Sequence, residues 1–169
     1  MEIYIVRHGD AIDYNHPSVT SDEMRELTSQ GRDESELMAR LLARLGVKPD
    51  LILTSPLIRA RQTAEIFAGV TGSSTGPSVS DELAPGGSPT GVLSDILSHG
   101  RPRQTLLAGH MPSVGELVGV LVWHDSGIVK RFRTAEVCRV DMPDASPVPG
   151  AGDLRWSIPP RVAERLIGG

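Results

Sequence analysis

The amino-acid sequence predicts an α/β protein, a three-layer α/β/α sandwich around a mostly parallel sheet of about six strands. Short apolar, β-branched runs alternate along the chain with longer segments in which apolar residues recur at helical spacing. Such alternation favours a parallel sheet with helices on both faces. The last two β-rich stretches have no helix between them, which predicts a hairpin and therefore one antiparallel strand. With 169 residues and no internal repeat or linker, we expect one domain over 1–169.

The first half of the chain predicts two strands, each followed by a helix. The predicted elements are a strand over 3–6, a loop over 10–26, a helix to about residue 45, a strand over 50–54 and a helix to about residue 68. Thr28 or Ser29 suits the N-cap of the first helix, and Gly46 suits the position just beyond its end. Ser55, followed by proline, suits the N-cap of the second helix, which places Arg59 one turn into it.

The second half predicts a further strand–helix pair and the hairpin. The predicted elements are a short strand within 78–83, a helix over 89–99, a strand over 105–108, a helix from 112 to about 123, and strands within 133–142 and 153–158. A segment rich in Gly, Ser and Pro, 71–89, is expected to be mostly irregular, and the turn-rich segment 143–152 joins the two hairpin strands.

Composition argues against several classes of function. The net charge of −4 gives no general attraction for nucleic acids or acidic membranes. The single cysteine, Cys138, excludes an internal disulfide and a cysteine-based zinc site, which fits the reducing cytoplasm. Because the sequence shows neither a charged and then apolar leader nor a long apolar span, we expect a cytoplasmic protein in which nothing precedes the fold.

Basic residues follow the carboxyl ends of three predicted strands. Arg7 and His8 follow the first strand directly. Arg59 follows the second strand, and His110 follows the strand over 105–108. In open α/β sheets, ligands bind outside the carboxyl ends of the strands. Guanidinium groups bind phosphate oxygens in pairs, and the helix start at Ser55 adds free N–H groups. The pattern therefore predicts an anion site that suits a phosphoryl group.

His8 is the predicted nucleophile of this site. An imidazole is largely neutral at pH 7, since its unperturbed pKa is about 6.5. Attack on phosphorus would give a phosphohistidine enzyme, which water would then hydrolyse. The second ring nitrogen needs an acceptor for its N–H, such as a backbone carbonyl, and Gly9 allows a tight turn there. Because the sequence carries no metal-binding or P-loop motif, we expect neither a metal nor another cofactor.

The chain resembles the histidine phosphatase superfamily (the phosphoglycerate-mutase-like fold), and within it the SixA-type phosphohistidine phosphatase branch. The motifs that carry this resemblance are Arg7-His8-Gly9-Asp10-Ala11, Leu27-Thr28-x-x-Gly31, Asp33-Glu34-Ser35, Ser55-Pro56 with Arg59-Ala60 and Gln62-Thr63, Glu82-Leu83-x-Pro85-x-Gly87, and His110-x-Pro112-x-Val114-Gly115. The resemblance runs from the first strand to about residue 121. It implies the α/β/α sandwich, a phosphate-accepting His8, and a phosphate pocket formed by Arg7, Arg59 and His110.

The resemblance leaves the identity of a general acid open. Many members of the family use a carboxylic acid to protonate the leaving oxygen, and this short chain offers only Glu82 and Asp10 near the motifs. Either can instead be an ordinary loop or turn carboxylate. Ser55 is expected to cap a helix and also to contact phosphate. Because an imidazole nitrogen is a far better leaving group than an alkoxide, a missing acid favours a phosphohistidine substrate.

Three functions follow from these observations. The leading prediction is a metal-independent phosphohistidine phosphatase that acts on phosphorylated proteins such as phosphorelay or phosphotransfer components. The alternative enzyme is a phosphatase for small or varied phosphomonoesters, with Glu82 or Asp10 as the acid. A non-catalytic phospho-ligand binding domain is the third possibility, although the nucleophile His8 is present.

Overall fold

The computed structural model describes residues 1–144 and 147–167. In chain order its elements are β1 (Glu2–Arg7), α1 (Ser29–Arg44), β2 (Leu51–Thr54), α2 (Ile58–Thr71), β3 (Ser78–Val79), α3 (Pro89–Ser98), β4 (Gln104–Gly109), α4 (Ser113–Trp123), β5 (Val137–Asp141), β6 (Asp153–Ile158) and α5 (Pro160–Ile167). Two short 3-10 turns cover Asp22–Met24 and Asp81–Leu83. The connection between β5 and β6 contains two residues, 145 and 146, that lie outside the described part of the chain.

The six strands form one sheet in the order β3-β2-β4-β1-β5-β6. The pairs β1–β4, β2–β4 and β2–β3 are parallel, whereas β5 is antiparallel to both of its neighbours, β1 and β6. This confirms the predicted mostly parallel sheet with one antiparallel strand.

Two apolar cores cover the two faces of the sheet, as expected for a central strand that is buried on both sides. Successive side chains of β1 point to opposite faces of the sheet. Ile3 and Ile5 pack in the core under α3 and α4. Tyr4 and Val6 pack in the opposite core, under α1, α2 and α5. The α/β/α sandwich predicted from the strand–helix alternation is therefore confirmed. None of the described helices combines the length and the apolar character that crossing a bilayer requires.

The structure differs from the predicted elements in three places. The predicted strand within 78–83 is only two residues long, because the chain turns into the 3-10 turn Asp81–Leu83. Helix α2 begins at Ile58 with Leu57 as its N-cap, so the predicted cap at Ser55 is wrong. Helix α5 is absent from the prediction. It has only eight residues and buries just Pro160 and Ala163, which leaves too short an apolar pattern to recognise.

Helix α1 starts and ends as predicted. The Thr28 hydroxyl accepts a hydrogen bond from the Gly31 N–H, which satisfies one of the free donors of the first turn. Gly46 lies just past the end of the helix with a φ of 77°, a backbone conformation that glycine adopts readily.

Candidate active site

The predicted site residues come together at the carboxyl ends of β1, β2 and β4, in the middle of the sheet. Backbone hydrogen bonds join the three strand ends: the His8 N–H donates to the Gly109 carbonyl (3.0 Å), and the Ser55 N–H donates to the Ala108 carbonyl (3.0 Å). The rings of His8 and His110 face each other with centroids 4.9 Å apart. Residues far apart in the sequence thus share one small pocket because their strands are neighbours.

The imidazole of His8 is held in the orientation that a nucleophile needs. Its Nδ1 lies 2.7 Å from the Gly9 carbonyl oxygen. A carbonyl only accepts, so Nδ1 carries the proton and donates, and the lone pair of the neutral ring is on Nε2. The acceptor expected from the sequence is therefore the carbonyl of the next residue.

Gly9 and Thr63 fix the turn that carries His8. The Gly9 N–H donates to the Thr63 hydroxyl of α2 (3.1 Å), which in turn donates to the Arg59 carbonyl (2.8 Å). A Cβ at position 9 would lie 2.5 Å from the Gly31 carbonyl oxygen, so only glycine fits against the start of α1. The turn with the nucleophile is thereby anchored to both helices of one layer.

His110 is oriented by Ser55. The His110 Nε2 lies 2.8 Å from the Ser55 hydroxyl, which also accepts a long hydrogen bond from the Leu57 N–H (3.3 Å). When the Ser55 hydroxyl donates to Nε2, the proton of the neutral ring is on Nδ1. That Nδ1 is buried and has no partner in the described residues, so it can donate to an oxygen of a bound phosphoryl group. The structure thus gives Ser55 contact with His110 in place of the predicted helix cap.

Two arginines line the same pocket. Nη1 of Arg7 donates to the Phe132 carbonyl (2.9 Å). Arg59 is 5% exposed, and the two terminal nitrogens of its guanidinium donate to the Asp22 carbonyl (2.7 Å) and the Asp22 carboxylate (2.9 Å). The Nε of each arginine is buried without a partner in the described residues. Because unpaired buried donors are costly, these N–H groups favour an oxyanion.

Asp22 and Arg25 are site residues that the sequence analysis did not identify. Both lie in the predicted loop over 10–26, where Nη1 of Arg25 donates to the second carboxylate oxygen of Asp22 (3.1 Å). Burial alone raises the pKa of Asp22, but hydrogen bonds from Arg59 and Arg25 outweigh it and hold the pKa below its ordinary value. Asp22 is thus an ionised positioning group for Arg59. Its contact depends on how the loop folds back, which no local pattern reveals.

The structure places the two predicted acid candidates differently. The Asp10 carboxylate accepts from the Thr28 hydroxyl (2.9 Å) at the start of α1. The Glu82 carboxylate accepts from the Ser88 N–H (2.7 Å) before α3. Within the described part of the chain, neither carboxylate forms a hydrogen bond with the four basic site residues. A catalytic role for Glu82 or Asp10, and phosphate binding by Asp10, stay predictions.

The pocket strongly disfavours protonated imidazoles. Burial lowers the pKa of His8 to about 4, and the positive charges of Arg59, Arg7 and Arg25 act in the same direction, while the Gly9 carbonyl opposes them. Burial also lowers the pKa of His110 to about 3, with further contributions from His8 and Arg59. Both rings are therefore neutral at pH 7, which leaves His8 nucleophilic. Among the described residues, no group of three or more His, Cys, Asp or Glu side chains is arranged to hold a metal ion.

An NMR titration tests the charge state of His8. Since the pKa of His8 lies below the 6.5 of a free imidazole, its ring signals should stay those of the neutral form from pH 8 to about 5 and change with a midpoint near 4. The signals are assigned by their loss in His8→Ala. A midpoint near 6.5 would show that the free pocket does not disfavour the imidazolium.

Replacement of Asp22 tests its hold on Arg59. We expect Asp22→Ala to lower kcat about tenfold, less than the loss of about 10²- to 10³-fold that is typical of removing a donor itself, because Nη2 of Arg59 loses its acceptor while Nη1 keeps the Asp22 carbonyl. Asp22→Asn keeps an acceptor oxygen and should retain more activity. The measurement is kcat for both variants, with thermal unfolding as a control for folding. Equal activity of wild type and Asp22→Ala would contradict this role.

Comparisons with known proteins agree with this geometry. The sequence profile of the histidine phosphatase superfamily (branch 1) matches residues 3–84. The phosphohistidine phosphatase SixA of Escherichia coli K12 is 32% identical over 163 residues, which cover 95% of this chain and 94% of SixA. A structure of the protein histidine phosphatase SixA complexed with tungstate has a TM-score of 0.81, with 32% identity, and covers 95% of this chain and 98% of that one. The alpha-ribazole phosphatase of Shigella flexneri shares the fold, with a TM-score of 0.70, 16% identity, and coverage of 92% and 95%.

Proposed function

The chain belongs to the histidine phosphatase superfamily, and on that basis we propose that it is a hydrolase that removes phosphate from phosphohistidine in proteins. The observation that carries the proposal is the His8 ring, whose Nδ1 donates to the Gly9 carbonyl and whose Nε2 is free for attack. The similarity to SixA over 95% of this chain supports the same substrate class.

In the first step, Nε2 of His8 attacks the phosphorus of the substrate phosphohistidine. A new P–N bond forms as the P–N bond of the substrate breaks, and the phosphoryl group passes to His8. Arg7, Arg59 and His110 bind its oxygens, since their buried N–H groups lack other partners. When the second ring nitrogen of the substrate imidazole already carries a proton taken from water, the ring departs as a neutral imidazole, and no enzyme acid is needed.

In the second step, water attacks the phosphorus and the P–Nε2 bond of the phosphoenzyme breaks. Phosphate leaves, and His8 returns to the neutral ring with its proton still on Nδ1. Among the described residues, no carboxylic acid that could donate a proton is hydrogen-bonded to the four basic site residues, and this chemistry needs none. Asp22 does not supply one, because Arg59 and Arg25 keep its pKa low. An alkoxide leaving group, in contrast, would need a proton from an enzyme acid.

The proposed substrate is a cytoplasmic phosphorelay or phosphotransfer protein. Cys138 is free and buried, which fits a reducing compartment. The site lies at the carboxyl ends of the central strands, between the loop over 10–26 and the residues that follow α4. Arg7 and His8 are partly exposed there, which lets a partner protein present its phosphohistidine to them.

Phosphate release measured in the presence of EDTA tests the proposal. The substrates are a phosphohistidine-bearing protein and a panel of small phosphomonoesters, and Glu82→Gln is assayed beside the wild type. We expect fast release from phosphohistidine that needs no added metal and changes less than about twofold in Glu82→Gln. Preference for phosphomonoesters, with loss of activity in Glu82→Gln, would favour a small-molecule phosphatase with Glu82 as the acid. No release from any substrate would favour a phospho-ligand binding domain.

A further inference from the structure

A short basic segment, Lys130–Arg133, contacts the phosphate pocket through its one buried residue, Phe132. Phe132 is buried, and its carbonyl accepts the hydrogen bond from Arg7. Lys130 also points inward: its Nζ lies 2.7 Å from Glu136 and 3.9 Å from the centre of the Phe132 ring. These contacts fix the backbone of the segment relative to the phosphate-binding Arg7.

The two remaining side chains of the segment point outward. Arg131 and Arg133 are exposed, and neither guanidinium has an ion pair or hydrogen bond within 1–144 and 147–167. Their Cα atoms lie at most about 7 Å apart, the span of two extended residues. Two free positive charges are therefore held close together beside the pocket, on a segment that the pocket itself immobilises.

A third arginine lies across a neighbouring cleft. Arg161, near the start of α5, lines a cleft of about 380 Å³ together with Arg133, Glu34 and Glu136, and the Glu136 carboxylate is already paired with Lys130. Arg161 is exposed and likewise has no ion pair in the described structure, whereas Glu34 accepts a hydrogen bond from Gln30. The backbone beside the cleft is joined to the backbone of the site, because the Ala135 N–H donates to the carbonyls of Arg7 and His8. We call Arg131, Arg133 and Arg161 the basic rim.

We propose that the basic rim docks carboxylates that flank the phosphohistidine on the partner protein. The inference rests on the proposed function and specifies the partner as one with an acidic surface around its phosphohistidine. The whole chain carries a net charge of −4, so an acidic partner is repelled by most of this molecule. A local positive rim then orients the encounter toward the pocket, since charges at the edge of an interface act mainly on association and specificity.

A pair of synthetic peptides tests the rim. Both carry one phosphohistidine; one has glutamates on either side of it, and the other has glutamines at the same positions. At low ionic strength, we expect the wild type to prefer the glutamate peptide about tenfold in kcat/KM, as two or three exposed ion pairs allow. The preference should shrink as salt is added. In Arg131→Glu/Arg133→Glu it should disappear or reverse, while the glutamine peptide is hydrolysed within about twofold of the wild-type rate.

The control is Arg44→Glu, because Arg44 is an exposed arginine at the far end of α1. This variant should keep the wild-type preference. Equal hydrolysis of both peptides by the wild type would show that the basic rim does not dock carboxylates, and it would leave the proposed function intact. Equal losses on both peptides in the double variant would show that the segment acts on the pocket alone, which also overturns docking. If the wild type hydrolyses neither peptide yet releases phosphate from monoesters, the proposed function itself is wrong.

Discussion

Replacement of His8 by alanine is expected to lower kcat by about 10⁴-fold or more, the scale seen when a covalent nucleophile is removed. No other described side chain can take over the transfer. His110 lies beside His8, but its Nε2 is engaged by Ser55, and its buried Nδ1 carries the ring proton, so neither nitrogen offers a free lone pair. The measurement is steady-state phosphate release, together with labelling of the enzyme by a phosphorylated substrate at short reaction times, stopped in alkali to preserve a phosphohistidine.

The matched control for this prediction is His99→Ala. His99 is an exposed histidine just after α3, where its Nδ1 lies 2.8 Å from the Asp95 carbonyl oxygen, and its replacement should leave kcat unchanged. Wild type and His99→Ala should form an acid-labile phosphoenzyme, whereas His8→Ala should not. Near-normal turnover by His8→Ala would refute the covalent mechanism.

Replacement of Arg59 by alanine is expected to reduce both phosphate binding and rate, with kcat/KM falling about 10²- to 10³-fold. Arg59 is the more buried of the two pocket arginines, and Asp22 of the loop over 10–26 holds its guanidinium in place. Arg7→Lys should also be damaging, because an ammonium group cannot reproduce the two-pronged contact of a guanidinium with phosphate.

Inhibition by inorganic phosphate separates the two expected effects of Arg59→Ala. A weaker inhibition constant reports lost ground-state binding, and a lower kcat reports lost stabilisation of the transferring group. Arg61→Ala is the control, since Arg61 lies two residues further along α2 and is exposed. If Arg59→Ala and Arg61→Ala had equal kcat/KM values, Arg59 would not belong to the phosphate site.

The parts of the site that the sequence predicted are those fixed by regular secondary structure. His8 and His110 directly follow central strands, and the order of elements along an α/β chain brings such strand ends together. The sequence also predicts the helix that carries Arg59, although that helix starts two residues later than expected. Glycine at position 9 was recognised from its need for close approach, which the contact with Gly31 now explains.

The parts that the sequence did not predict depend on loops. Asp22 reaches Arg59 only because the chain over 10–26 folds back across the pocket, and hydrophobic periodicity contains no information about that path. Ser55 is predicted to be a helix cap because a serine followed by proline suits the start of a helix, yet its hydroxyl hydrogen-bonds to His110. Glu82 is a similar case. Its place near an irregular segment makes it a candidate acid in the sequence, whereas in the structure its carboxylate accepts a hydrogen bond from the Ser88 N–H.

The parallel pairing of β1 with β4 has a consequence for how this protein acquires activity. Glu2 pairs with Gln104, 102 positions further along the chain, and the same ladder brings His8 next to His110. Such distant contacts form late, because the closure of a long loop must come first. During synthesis His8, the candidate nucleophile, has no partner histidine until the 102 residues up to His110 have followed it. The rate at which activity returns during refolding therefore reports the rate at which the central sheet is completed.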